Sequence, residues 1–135
     1  MVKRDDRPNA CPNCGSKDFR HSYRNNYECN KCEEDFQWEW TDVSQNPNLT
    51  YLNCNSNLLS ELDLTQNPNL TFLSCGQNQL DTLDISQNVF LDSLECSNNQ
   101  LSELDLTQNP NLTFLSCGQN QLDSLDISQN SSLNN

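Results

Sequence analysis

From Leu49 onward the apolar residues return at a fixed interval. Leu49, Leu70, Leu91, Leu112 and Leu133 stand 21 residues apart. The first four open the same string, LxxLxCxxNxLxxLD followed by Leu or Ile, as in Leu70-Thr-Phe-Leu73-Ser-Cys75-Gly-Gln-Asn78-Gln-Leu80-Asp-Thr-Leu83-Asp84-Ile85. Such a period marks an array in which each repeat forms one coil. In the LxxLxC stretch side chains alternate across a strand, which predicts Leu73 and Cys75 inward and Phe72 and Ser74 outward. Stacking in register then builds a parallel sheet, and the inward leucines of each coil complete a core that no coil closes alone. Few apolar positions per repeat suffice, so the chain can be only 33% hydrophobic and still fold.

Two further columns run through the repeats. Asn57, Asn78, Asn99 and Asn120 hold the ninth place; a carboxamide both donates and accepts, so the column can satisfy backbone groups where the chain turns away from the strand. Cys54, Cys75, Cys96 and Cys117 are expected to stack as a buried ladder of thiols, cysteine being a small hydrophobe suited to a tight corner. Asp63, Asp84, Asp105 and Asp126 form an acidic column expected in solvent. Units two and four are nearly identical, and units one and three share Leu-Ser-Glu-Leu-Asp-Leu-Thr-Gln-Asn-Pro-Asn, so the array reads as a duplicated 42-residue pair. Over residues 49 to 133 the pattern resembles the leucine-rich repeat, and is most similar to bacterial repeats of the internalin type, in which cysteine replaces a core leucine. Leu58, where the other units carry Gln79, Gln100 and Gln121, departs from it.

The first forty residues follow a different logic. Cys11-Pro-Asn-Cys14 and Cys29-Asn-Lys-Cys32 are two CxxC knuckles separated by fourteen residues, a spacing that lets four thiolates close a tetrahedral Zn²⁺ site. Disulfides, a redox pair or iron are the alternatives for these thiols. Residues 9 to 40 resemble a zinc ribbon, a small β fold. Four protein ligands leave no open position, so the metal is expected to be structural and a condition for folding so short a segment. The organisation read from the sequence is therefore a charged tail over 1–8, a zinc ribbon over 9–40, and a solenoid over 41–135 made of a half-coil and four repeats. Overall the fold class is mostly β. Because the junction Phe36-Gln-Trp38-Glu-Trp40 is not a flexible linker, the ribbon is expected to cap the first coil through Trp38 or Trp40.

Charge is divided as sharply as pattern. The net formal charge is -12, but all seven basic residues lie within the first 31 positions, and residues 41 to 135 hold eleven acids with no Lys or Arg. No stretch is apolar enough to span a bilayer, mean hydropathy being -0.83. The N-terminus lacks an apolar signal region, which sets cytoplasm as the expected location.

The outward strand positions supply the candidate function. Tyr51, Phe72 and Phe114, with Ser93 between them, run beside Asn53, Ser74, Glu95 and Ser116. Aromatics on a polar sheet are enriched at interfaces, and the resemblance to leucine-rich repeats implies partner binding on this face. The alternative is that they simply favour strand formation. Asp92 and Glu95 favour a basic protein or peptide. No nucleophile and base pair and no glycine-rich phosphate loop occur, so no enzyme activity is expected. The rival reading is a nucleic-acid adaptor using Lys17, Arg20 and Arg24 among the ribbon aromatics. The last coil has no evident cap and is a candidate oligomerisation surface.

Overall fold

The computed structural model describes residues 19–21, 27–29, 35–36, 43–44 and 46–133. Two sheets are present among them. Strands β1 (Phe19–His21), β2 (Tyr27–Cys29) and β3 (Asp35–Phe36) form an antiparallel sheet in the order β1-β2-β3. Phe19 pairs with Cys29, and Glu28 with Asp35. Strands β4 (Tyr51–Asn53), β5 (Phe72–Ser74), β6 (Ser93–Glu95) and β7 (Phe114–Ser116) form a parallel sheet in sequential order. Each strand pairs with the residues 21 positions on: Leu52 with Leu73, Leu73 with Leu94, Leu94 with Leu115. The sequence period is thus one turn of the coil.

The core lies where the pattern placed it. Leu59, Leu70, Leu73, Cys75, Leu80, Leu91, Leu94, Cys96, Leu101 and Leu112 are fully buried in one cluster that also includes Val43, so the stack reaches into the half-coil before the first full repeat. Leu58 is exposed, as befits a place the other coils give to glutamine. In the fourth coil, the last among the described residues, Leu115, Cys117, Leu122 and Leu125 are only partly buried and Ile127 is exposed, whereas its counterparts Ile85 and Leu106 are buried.

Hydrogen bonds fasten each coil to the next. At the end of the strand, the Cys54, Cys75 and Cys96 amides donate to Ser74, Glu95 and Ser116, each at 2.8 Å. The predicted asparagine column completes the adjoining corner. Asn78 Nδ2 donates to the carbonyls of Cys54 in the preceding coil (3.0 Å) and of Cys75 in its own (2.9 Å), while its Oδ1 accepts the Leu59 amide at 3.0 Å. Asn99 and Asn120 repeat the arrangement one and two coils on. The chain enters this corner through Ser56, Gln77, Asn98 and Gln119, all with φ between 53° and 59°, a left-handed conformation that only glycine adopts freely.

A second carboxamide column lies at the opposite corner of the coil. Asn67, Asn88, Asn109 and Asn130 are buried, and each Nδ2 reaches back one coil to two carbonyls: Asn67 to Val43 (2.9 Å) and Asn46 (2.8 Å), Asn109 to Ile85 (3.1 Å) and Asn88 (2.9 Å). Asn88 and Asn130 do the same. The signal was available, since Asn46, Asn67, Asn88, Asn109 and Asn130 also recur every 21 residues.

The thiols form the expected ladder and are free. Loss of hydration on burial pushes the Cys54 and Cys96 thiols up to about 12, raises Cys75 well above its ordinary value, and raises the less buried Cys117 as well. Nearby Glu95 adds to the shift at the three inner thiols. In this state they are neutral, poorly nucleophilic core atoms.

Replacing Asn78 by Ala leaves the Leu59 amide and the corner carbonyls without partners and is expected to lower stability by about 3 kcal/mol in urea denaturation, whereas Gln77→Gly, which relieves the left-handed backbone, raises it by up to about 1 kcal/mol. The thiols set an alkaline limit: their folded values lie above the ordinary 9.0, so their contribution is fully present below about pH 9 and is lost as pH climbs toward 12. Melting temperature should therefore fall over that window, and iodoacetamide mapping at pH 8 should label Cys117 before Cys54, Cys75 or Cys96.

Candidate strand-face interface

The parallel register brings the outward side chains into two rows. Tyr51, Phe72, Ser93 and Phe114 occupy one; Asn53, Ser74, Glu95 and Ser116 occupy the other, two residues along each strand and therefore on the same face. The Tyr51 and Phe72 rings stack with centroids 4.3 Å apart and planes within 4°, a separation set by the 4.7–4.9 Å spacing between strands. Tyr51 is 58% and Phe114 52% exposed, and Phe72 is half-buried beneath its neighbours. Ser93, in the third coil, interrupts the aromatic row between Phe72 and Phe114.

The same coil breaks the second row with Glu95. One carboxylate oxygen accepts from Ser74 Oγ (3.2 Å) and the Gly76 amide (3.1 Å), and the other from the Ser97 amide (3.1 Å) and the Ser97 hydroxyl. Gly76 makes this possible, because a Cβ there would overlap the Glu95 carboxylate; at Gly118, the equivalent place two coils on, a Cβ would meet nothing within 4 Å. Ser74, expected to face outward, is only 5% exposed. It is covered by Glu95 and serves to hold that carboxylate. Asn53 is exposed, while Glu95 and Ser116 are half-buried.

Asp92 lies off the strand face. It lines a shallow groove of about 700 Å³ on the flank of the coils, with Asn69, Thr71, Asn111 and Phe90. Phe90, 56% exposed, was missed in the sequence. Its signal was the replacement of the Pro-Asn pair, present as Pro47-Asn48, Pro68-Asn69 and Pro110-Asn111, by Val89-Phe90. The polar lining is partly committed to the fold, since Asn69 donates to the Pro47 carbonyl and Thr71 to that of Thr50 in the preceding coil.

The acidic column has a local structural task beyond facing solvent. Asp84, Asp105 and Asp126 each accept the amide two residues on, from Ser86 (2.9 Å), Thr107 (2.8 Å) and Ser128 (2.8 Å), and Asp63 accepts both the amide and the hydroxyl of Thr65. These backbone bonds, followed by bonds from the same residues' side chains, hold the carboxyls of Asp84, Asp105 and Asp126 below their ordinary value. Their contribution is present above about pH 3.8 and fades as pH falls through the folded values.

Of the residues assigned to the ribbon, Cys11, Cys14, Cys32, Lys17 and Arg24 lie outside the described residues, as do Trp38 and Trp40. Cys29 ends β2 and Arg20 is the middle residue of β1. The ribbon reading thus has only the three-stranded antiparallel sheet beside it.

No protein-family model matches the chain, and no curated protein matches it in sequence. Solved structures do. The functional domain of InlJ from Listeria monocytogenes, described as including a cysteine ladder, is 42% identical with a TM-score of 0.68, the match covering 69% of this chain and 21% of that one. Internalin C2 from the same organism is 28% identical with a TM-score of 0.65, over 69% of this chain and 44% of its own. A leucine-rich-repeat protein of Leptospira interrogans is 27% identical with a TM-score of 0.62, over 67% of this chain and 25% of its own. The chain thus spans less than half the length of each of these proteins. Shared coil geometry and this likeness together establish that the chain carries a leucine-rich-repeat solenoid whose core contains a ladder of thiols.

Proposed function

We propose that the chain is a protein-interaction module that binds a protein or peptide segment across the strand face of its repeats. The observation that carries this reading is the exposure of Tyr51 and Phe114 on a sheet whose inward side already holds the whole core. Removing such rings from water on binding gains free energy that the folded chain leaves unused. Tyr51 and Phe72 already pack ring on ring, which reduces the side-chain freedom left to lose when a partner covers them. The leucine-rich-repeat proteins it resembles support the same reading. With eleven acids and no Lys or Arg after residue 40, the surface favours a basic partner.

The N-terminal segment is assigned a structural role. Cys11, Cys14, Cys29 and Cys32 are the donors of one Zn²⁺, held by four thiolates with no position left for substrate. The ion folds the ribbon and the ribbon shields the first coil. The support is the donor chemistry and its two-residue spacing.

The interface is tested by selecting random displayed peptides on the immobilised full chain. Capture of the enriched peptides should fall at least tenfold on the Phe72→Ala, Phe114→Ala double variant, with an unchanged far-ultraviolet spectrum as the control for folding; undiminished capture would overturn the reading. Elemental analysis of the purified chain should give one zinc per molecule, and Cys29→Ser should reduce that content and lower the melting temperature.

A further inference from the structure

The third coil is the one place where both outward rows change together. Ser93 stands where β4, β5 and β7 carry Tyr51, Phe72 and Phe114, and Glu95 stands where they carry Asn53, Ser74 and Ser116. Because β6 lies between β5 and β7, the small serine opens a notch whose walls are Phe72 on one side and Phe114 on the other. Two strand spacings separate those walls, about 10 Å. A flat or tetrahedral group making van der Waals contact with a ring on each side needs about 7 to 8 Å, so the notch admits one side-chain head. Glu95 stands two residues from Ser93 on the same face, with its carboxylate turned toward Gly76 and Ser97.

The carboxylate there is held in place. Glu95 is fixed by Ser74, by the Gly76 amide and by both donors of Ser97, and Gly76 leaves it the room. Those donors are neutral, so they orient the negative charge without cancelling it, and residues 41 to 135 hold no Lys or Arg that could pair with it. A fixed anion near two aromatic walls is the chemistry that selects a cation: the ring faces attract positive charge, and the carboxylate, whose acceptor positions are already filled by Ser74, Gly76 and Ser97, adds Coulombic attraction.

We infer that the notch formed by Phe72, Ser93, Phe114 and Glu95 receives a single arginine or lysine side chain of the bound segment. This deepens the interface reading and rests on it. Such an insertion fixes the register of the partner along the coils, because the other three strands offer an aromatic where β6 offers a gap.

The test is a nuclear magnetic resonance titration of the full chain with N-acetyl-arginine methylamide, and in parallel with its neutral isostere N-acetyl-citrulline methylamide. The expected result is saturable shifts at the amides of residues 74–76, 93–97 and 114–116 with the arginine probe, at least fivefold weaker for citrulline. Glu95→Gln should weaken the arginine response at least fivefold. Since that variant also disturbs the hydrogen bonds at Gly76 and Ser97, Ser93→Phe serves as the second: it fills the notch with the residue that β5 and β7 already accommodate, leaves Glu95 in place, and should abolish the response. Equal responses to the two probes, absence of saturable shifts at those amides, or a Ser93→Phe variant that still responds would each overturn the inference. The two readings fail separately: peptide capture lost on the Phe72→Ala, Phe114→Ala variant but indifferent to Ser93→Phe leaves the interface standing without the cation notch, and capture indifferent to the aromatic double variant removes the interface itself.

Discussion

The structure depends on satisfying backbone polar groups at the corners of a coil that leaves its strand after three residues. A short strand pairs few amides and carbonyls, and the chain must then bend twice within each 21-residue turn past a dry core. Unpaired, each buried group at those bends would cost roughly 1–3 kcal/mol. Side-chain carboxamides from the next coil supply the missing partners. One column, Asn57 to Asn120, closes the corner beyond the strand; the other, Asn67 to Asn130, closes the corner before it. From Asn67 onward each of these asparagines bonds a carbonyl of the preceding coil, so the bonds form only when neighbours are in register. Periodicity and stability are the same requirement.

That arrangement explains why so polar a chain folds. The core is narrow, filled by leucines and by one thiol per coil, and much of the cohesion between coils is carried by hydrogen bonds running along the axis. Thiols suit the column because the sulfur is small enough to sit at the strand's end, and burial itself keeps it protonated. The inner asparagine oxygens of residues 67, 88, 109 and 130 have no hydrogen-bond partner among the described residues. Their amino groups earn their place through two carbonyls each.

A scaffold this regular makes departures informative. Coils two and four are almost the same in sequence, and a surface built from them alone would repeat itself. Coil three replaces an aromatic by Ser93 and a neutral side chain by Glu95 while keeping every inward leucine, the thiol and both asparagines, and the turn that leads into it, at the end of coil two, replaces Pro-Asn by Val89-Phe90. Variation at outward positions leaves the core pattern untouched and alters what the surface presents. The Glu95 carboxylate occupies the space that a Cβ at position 76 would need, so its seat depends on the glycine there.

Much of this was legible in the chain alone. A 21-residue interval of leucines dictates a coil, an alternation of inward and outward residues dictates a parallel sheet, and cysteine at the sixth place must then be buried, because these are consequences of period and chirality that hold in any environment. The two aromatic neighbours Tyr51 and Phe72 could likewise be placed on one row before their rings were seen to stack. What the tertiary structure alone decided is where neighbouring coils compete for the same space or the same hydrogen bond. Ser74 read as an outward serine and proved to be buried under Glu95; Asp92 read as part of the strand face and lies on the flank with Phe90; Asp84 and its companions are in solvent as read, and in addition cap the following turn. Each of those outcomes depends on contacts between residues about 20 positions apart or on a turn geometry shared by side chain and backbone, and a pattern of apolar positions carries no information about either.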